Sequence, residues 1–118
     1  MKPLLLSTII AFIALSGKTQ NVTALPPGKY EARIKADQSK WEKGDIVILD
    51  NSHYKLSGNN ETGDYRFSVV AQRIFFTSGP LKNAYTKVML NASKTVIVFP
   101  IEQNSDLGLT AEVWASKE

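Results

Sequence analysis

The clearest pattern in the sequence is a strict alternation of charged and apolar residues between positions 29 and 36. The apolar members are Tyr30, Ala32, Ile34 and Ala36. Because successive side chains of a strand point to opposite faces, the alternation predicts a strand with one apolar face. A helix would distribute the same residues around its circumference.

Seven further segments have the length and composition of strands, and short turn-forming stretches separate them. They are 45–50, 53–57, 64–70, 73–77, 84–90, 95–101 and 109–115. Asn91-Ala92-Ser93 is predicted as a hairpin turn, and residues 102–108 are predicted as a polar loop. The last segment would place Leu109, Ala111, Val113 and Ala115 on one face.

These connections exclude a parallel sheet, because a parallel crossover needs a dozen or more residues. The sequence therefore predicts an all-β domain over residues 28–116, a single antiparallel meander of about eight strands that forms a small barrel. A two-sheet β-sandwich is the alternative. The interior of an eight-stranded barrel is either filled by side chains or holds one small ligand.

Three of the predicted strands carry apolar residues on both faces, at 46–49, 74–76 and 96–99. A strand with one face in water should alternate instead. We therefore expect the N-terminal leader, a second sheet or another protein surface to cover part of the outside. The covering protein surface could be a second copy of the same chain, in a homo-oligomer.

The first residues have the pattern of an export signal. A short basic start at residues 1–3 precedes an uncharged run at residues 4–15, which is too short to span a bilayer. We predict a signal peptide at residues 1–17, cleaved after Ser16 or Gly17, and a flexible leader at residues 18–27. The mature protein would be secreted or periplasmic, without a stable membrane span, whereas an uncleaved membrane anchor is the alternative.

Composition excludes several chemistries. The chain has no cysteine and one histidine, which excludes disulfides, thiol nucleophiles and zinc sites that need cysteines or two histidines. The formal net charge is only +3, whereas nucleic-acid-binding proteins carry concentrated basic patches, so we expect no nucleic-acid partner. His53 with Asp50 is weighed as a metal or proton-transfer pair, but a surface role is favoured. Ser78 is predicted to be a turn residue rather than a nucleophile. Taken together, these observations predict a protein that is not an enzyme and that has no catalytic residue, metal site or cofactor.

The aromatic residues are the candidates for binding. Tyr30, Tyr54, Tyr65 and Phe67 are predicted to point inward, where they form either a packed core or the wall of a ligand site. Trp41 and Trp114 lie among polar neighbours, where a tryptophan either anchors a partner or a sugar ring, or lies over a strand end. The ligand-binding candidates are therefore Tyr30, Tyr54, Tyr65, Phe67 and Trp114.

The stretch at residues 63–81, GDYRFSVVAQRIFFTSGPL, carries a resemblance. It resembles a strand unit of small exported proteins of unknown function: a Gly-x-Tyr strand, a short turn, and an Arg-Ile-x-Phe strand ending in Ser-Gly-Pro-Leu. The whole chain is more loosely similar to lipocalin-like (calycin) barrels. The resemblance implies a non-enzymatic binding module that holds a small apolar ligand or a protein partner.

A second resemblance gives an alternative function. Small exported barrels that inhibit lysozyme carry a Ser-Gly-x-x-Tyr loop and a lysine. Ser78, Gly79, Lys82 and Tyr85 are similar to that loop, with a longer spacing to the tyrosine. This resemblance implies an inhibitor of an extracellular hydrolase such as lysozyme.

Overall fold

The computed structural model describes residues 21–118, which form eight strands and one 3-10 helix. The strands are β1 (Gly28–Ile34), β2 (Ile46–Ile48), β3 (His53–Leu56), β4 (Thr62–Ser68), β5 (Arg73–Phe76), β6 (Lys87–Asn91), β7 (Lys94–Phe99) and β8 (Val113–Lys117). They pair antiparallel in one sheet of order β5-β4-β3-β2-β1-β8-β7-β6. The predicted all-β antiparallel fold is confirmed, and the sheet forms a nearly closed barrel rather than a sandwich.

The barrel closes between its two edge strands, β5 and β6, through a buried threonine side chain. The Thr86 hydroxyl donates to the carbonyl of Ile74 at 2.8 Å and accepts from the Ile74 N–H at 3.1 Å. Nearby, the Val88 N–H donates to the Gln72 carbonyl at 2.8 Å. An edge strand leaves backbone N–H and carbonyl groups without partners, and the Thr86 side chain supplies the partners for those of Ile74. We call this junction between β5 and β6 the β5–β6 seam.

Strand β1 follows the alternation in its first part. Tyr30 and Ala32 are fully buried, and Ile34 packs against the same core. The prediction is wrong for Ala36, which is exposed in the turn that follows Ile34. The chain reverses there because the Gln38 N–H donates to the Ile34 carbonyl at 2.8 Å. The sequence pattern does not show this reversal, because the alternation of charged and apolar residues continues into the turn.

Strand β6 begins three residues later than predicted, where a buried asparagine bonds to the backbone in place of a partner strand. Residues 102–108, predicted as a loop, contain the 3-10 helix Glu102–Leu107. Within it, Asn104 accepts from the Tyr85 N–H at 2.8 Å and donates to the carbonyls of Tyr85 and Pro100 at 2.9 and 2.7 Å. Residues 84–86 therefore precede β6. Strand β8 also begins later than predicted, at Val113, so that Leu109 and Ala111 lie before it.

The outer face of β7 is covered by side chains of its neighbours. Val96 and Val98 point outward, yet they are only 0% and 6% exposed. Lys87 and Trp114 flank Val98 on the paired strands, and Met89 flanks Val96. The apolar outer face of this strand is thus flanked by long side chains from β6 and β8.

The described part of the predicted leader packs against the barrel. Val22 and Leu25 are buried, and the Gln72 amide accepts from the Val22 N–H and donates to its carbonyl, both at 2.8 Å. Val22 and Leu25 belong to the hydrophobic cluster that fills the barrel interior. The predicted signal peptide, residues 1–17, and residues 18–20 lie outside the described residues. Between residues 21 and 118, no helix has the length and hydropathy needed to cross a bilayer.

Candidate functional site

The barrel interior is the first place where the sequence predicts a ligand, and its tyrosine hydroxyls all bond to backbone. The Tyr30 hydroxyl donates to the Pro26 carbonyl and that of Tyr65 to the Asp50 carbonyl, each at 2.7 Å. The Tyr54 hydroxyl donates to a carbonyl in the loop after β5. Each buried tyrosine thus fastens a loop to the barrel, so its polar atom has a partner without a ligand.

Burial also keeps these phenols neutral. It raises the pKa of Tyr54 and of Tyr65 to about 12, and it raises the pKa of Tyr30 as well. The negative charge of Asp50 adds to the effect on Tyr65. Because the phenolate is disfavoured by desolvation, the three groups act as hydrogen-bond donors at any ordinary pH.

A chain of aromatic contacts crosses the interior. The ring centres are 5.1 Å apart for Trp41 and Phe99, 6.3 Å for Phe99 and Phe76, and 4.7 Å for Phe76 and Tyr54. Trp41, which lies among polar neighbours in the sequence, is buried in the hydrophobic core cluster. These four buried side chains form one contact chain within the hydrophobic core, which favours a packed interior over a ligand-holding one.

A hydrogen-bonded corner brings together residues of the 63–81 stretch and Tyr54. The Tyr54 hydroxyl donates to the Ser78 carbonyl at 2.9 Å and accepts from the Leu81 N–H at 2.7 Å. A Cβ at Gly63 would lie 2.5 Å from the Tyr54 ring, and one at Gly79 would lie 2.6 Å from the Cα of Gly63. Gly79 also has a φ of +89°, which glycine adopts without strain. The motif residues therefore have a structural role at one end of the barrel.

This corner also fixes the predicted inhibitor loop, residues 78–85. Leu81 and Ala84 are buried beneath it, and the Ser78 hydroxyl accepts from the Asp64 N–H at 2.9 Å. Lys82 is exposed, whereas Tyr85 is half-buried. The four inhibitor-loop candidates thus lie on a short segment held against the barrel by its own apolar side chains.

His53 lies between two carboxylates at the surface. Its Nδ1 is 2.9 Å from Asp50 Oδ1, and its Nε2 is 3.4 Å from Asp64 Oδ1. The Ser52 N–H and His53 side chain hold the pKa of Asp50 below its usual range. The sequence paired His53 with Asp50 but missed Asp64, which the β3–β4 register places directly opposite. Residues 21–118 contain no group of three such side chains placed to hold a metal ion.

Tyr65 and Phe67 reach a small cavity between the leader and the barrel. Its volume is about 240 Å³, and Leu25, Asn51 and Val69 also line it. Phe67 is only partly buried, and it packs against the core from this side. Of the predicted ligand-binding residues, these two are therefore brought together, whereas Trp114 is not near them in the sheet.

Trp114 lies on the outer face of β8, at the wall of a surface groove. This groove has a volume of about 500 Å³ and runs between the outer face of β6–β8 and the 3-10 helix. We call it the Trp114 groove; its lining residues are Lys87, Met89, Val98, Pro100, Ile101, Glu102, Gln103, Glu112 and Trp114. Met89 and Ile101 are 36% and 44% exposed, so the apolar surface of the groove is in contact with water.

The position of the Trp114 ring is fixed from two sides. Its indole N–H donates to Glu112 Oε2 at 2.7 Å, and the Lys35 Nζ lies 4.8 Å from the ring centre. Arg33, its partner on β1, is paired with Glu31 at 2.7 Å. A half-buried tryptophan held in this way presents a rigid apolar wall.

Sequence reasoning selected Trp114 but missed its companions in the groove. Met89 and Ile101 come from β6 and from the turn after β7, and the sequence does not show which strands are neighbours. One signal was available: Val98 and Trp114 are the outward apolar residues of two successive strands. An antiparallel pairing of those strands would have placed the two side chains together.

Comparison of the chain with protein-family models, with curated proteins and with solved structures gives no match. The function is therefore argued from the geometry of the barrel and its surface.

Proposed function

We propose that the protein is an exported, non-enzymatic binding module that recognises a protein partner on the outside of its barrel. The observation that carries the proposal is the Trp114 groove, in which Met89 and Ile101 are exposed beside a fixed tryptophan. Tryptophan and methionine are enriched at protein interfaces, and charged residues typically surround the apolar centre. Lys87, Glu102 and Glu112 lie at this groove in that manner.

The filled interior supports recognition on the outside. Trp41, Phe99, Phe76 and Tyr54 contact one another across the barrel, and the buried hydroxyls are bonded to backbone. A small apolar ligand would have to displace these side chains, which costs free energy that its own burial must exceed. The outer groove needs no such rearrangement.

Inhibition of a hydrolase such as lysozyme through Ser78, Gly79, Lys82 and Tyr85 is less well supported. Of these residues, Lys82 alone is exposed. An inhibitory loop must enter the active-site cleft of its target, and burial of Leu81 and Ala84 holds this one against the barrel.

Site-specific photo-crosslinking in the native host tests the proposal. Benzoylphenylalanine at position 101, inside the groove, should give one discrete protein adduct in the full-length protein. The same probe at position 70 is the matched control, because Val70 is 99% exposed in a turn outside the groove. We expect no such adduct from position 70.

A Trp114→Ala variant provides the second part of the crosslinking experiment. Adding Trp114→Ala should remove the adduct at position 101, since a central interface tryptophan contributes about 2 kcal/mol, roughly thirtyfold in Kd. Equal adducts from positions 70 and 101, or an adduct indifferent to Trp114→Ala, would contradict the proposed surface. A small molecule retained by both wild type and Trp114→Ala would instead indicate an interior ligand.

A further inference from the structure

A stack of two arginines and two aromatic rings lies on the outer face of β4 and β5, apart from the residues of the Trp114 groove. The guanidinium carbon of Arg66 is 5.7 Å from the ring centre of Phe75. That of Arg73 is 4.5 Å from the Phe75 ring centre and 3.8 Å from the Tyr85 ring centre. The β4–β5 register places Arg66 directly opposite Phe75, so both side chains share this face.

Arg73 is held in one orientation by these contacts. Phe75 and Tyr85 both contact its guanidinium, and its Nε–H donates to the Thr86 carbonyl at 3.3 Å. An arginine has five N–H donors in a planar fork, and Nε supplies one of them. The terminal nitrogens of a guanidinium fixed in this way are preorganised to bind an acceptor in the plane of the fork.

Neither arginine is neutralised by the protein. In the stretch from residue 21 to residue 118, the carboxylates within 4 Å of a basic side chain are paired with Lys29, Arg33 or His53. Asp64, two residues before Arg66 on β4, is 3.4 Å from His53 Nε2. The two guanidinium groups therefore retain their charge at the surface.

A cavity of about 400 Å³ opens beside the stack. Arg66, Arg73 and Phe75 line it together with Thr77 and Asn83, and the two arginines are its charged residues. Asn83 is fixed at the rim because its N–H donates to the Phe76 carbonyl at 2.9 Å. The lining thus combines two guanidinium groups with the Asn83 side-chain amide, whereas the Thr77 hydroxyl donates to the Asp64 carbonyl at 3.3 Å.

We propose that this cavity is a binding site for an oxyanion, a phosphate or sulfate group held by Arg66 and Arg73. Guanidinium groups bind such anions through parallel charge-assisted hydrogen bonds, which are stronger than neutral ones. The anion is either a free ion or the end of an ester on a larger molecule. The alternative is that the stack only stabilises the β5–β6 seam. That role would require neither N–H donors without a protein partner nor an open cavity beside them.

Amide NMR titration of the full chain with inorganic phosphate, inorganic sulfate and methyl phosphate tests the site, with chloride at matched ionic strength as reference. We expect saturable shifts centred on residues 66, 73 and 83. Binding of methyl phosphate as well as the inorganic ion would indicate an ester ligand, and binding of the inorganic ion alone would indicate a free ion.

Matched arginine variants separate a site from general charge. Arg66→Gln should weaken binding about tenfold, since it removes a charge-assisted partner. Arg33→Gln makes the same change in net charge at an arginine already paired with Glu31, so it should leave the affinity unchanged. Because Arg66 is exposed, its variant should fold. Shifts that do not saturate, or equal losses in both variants, would overturn the proposal.

Discussion

Replacing Tyr54 by phenylalanine removes a single oxygen atom from the centre of the structural corner. The ring remains, with its contact at 4.7 Å to Phe76, so packing is largely kept. Two hydrogen bonds disappear: the one donated to the Ser78 carbonyl at 2.9 Å and the one accepted from the Leu81 N–H at 2.7 Å. The substitution therefore isolates the hydrogen bonds from the aromatic packing.

The expected cost follows from what each partner can do afterwards. Leu81 is fully buried, so its N–H is left without water or another acceptor, which costs about 1–3 kcal/mol. Ser78 is partly exposed, so loss of the bond to its carbonyl costs about 1 kcal/mol. We expect Tyr54→Phe to lower the free energy of unfolding by about 2–4 kcal/mol, a large fraction of the total for a small domain.

Urea denaturation followed by tryptophan fluorescence measures this change, because buried Trp41 reports on the core. The midpoint should fall while the slope with denaturant stays unchanged. Tyr65→Phe is the matched control, since it removes one bond to the carbonyl of exposed Asp50 and should cost about 1 kcal/mol. A Tyr54→Phe effect below about 0.5 kcal/mol, or no larger than that of Tyr65→Phe, would refute the reasoning.

Three further predictions concern the seam, the leader and the buried phenols. Thr86→Val removes both hydrogen bonds across the seam, so hydrogen exchange should quicken in β5 and β6 before it does in β1. Gln72→Ala removes the two bonds to the Val22 backbone, and limited proteolysis should then cut residues 21–27 faster than in wild type. In an alkaline titration, Tyr54 and Tyr65 should ionise near pH 12 by absorbance at about 295 nm. Because their folded pKa values are raised, their stabilising effect is full below about pH 10 and is lost as pH rises toward 12.

The barrel itself could be predicted because two kinds of local signal agree. Alternation in β1 identifies Tyr30 and Ala32 as inward-facing, and short turns exclude a parallel sheet. The hairpin at residues 91–93 was found from its turn residues, two of which, Ala92 and Ser93, have positive φ values of 53° and 70°. For these elements local chemistry was sufficient, because neighbours in sequence are also neighbours in the sheet.

The candidate site could be predicted only in part, because it depends on contacts between distant segments. Trp114 was selected for its polar surroundings, but the groove also needs Met89 and Ile101, whose positions follow from strand order. Asn104 lies in a polar segment that resembles any other loop, so nothing in the sequence indicates that it is buried. It nevertheless bonds to the Tyr85 backbone. Such side-chain substitutes for strand pairing have no local pattern.

Native mass spectrometry of the full-length protein, purified from its native host as wild type and as Trp114→Ala, tests the central claim most directly. The claim is that the interior is filled and that a protein partner binds at the Trp114 groove. We predict a complex with a protein for wild type, its loss in Trp114→Ala, and no small-molecule adduct in either. A small molecule that stays bound in both proteins, with no protein partner, would contradict the claim.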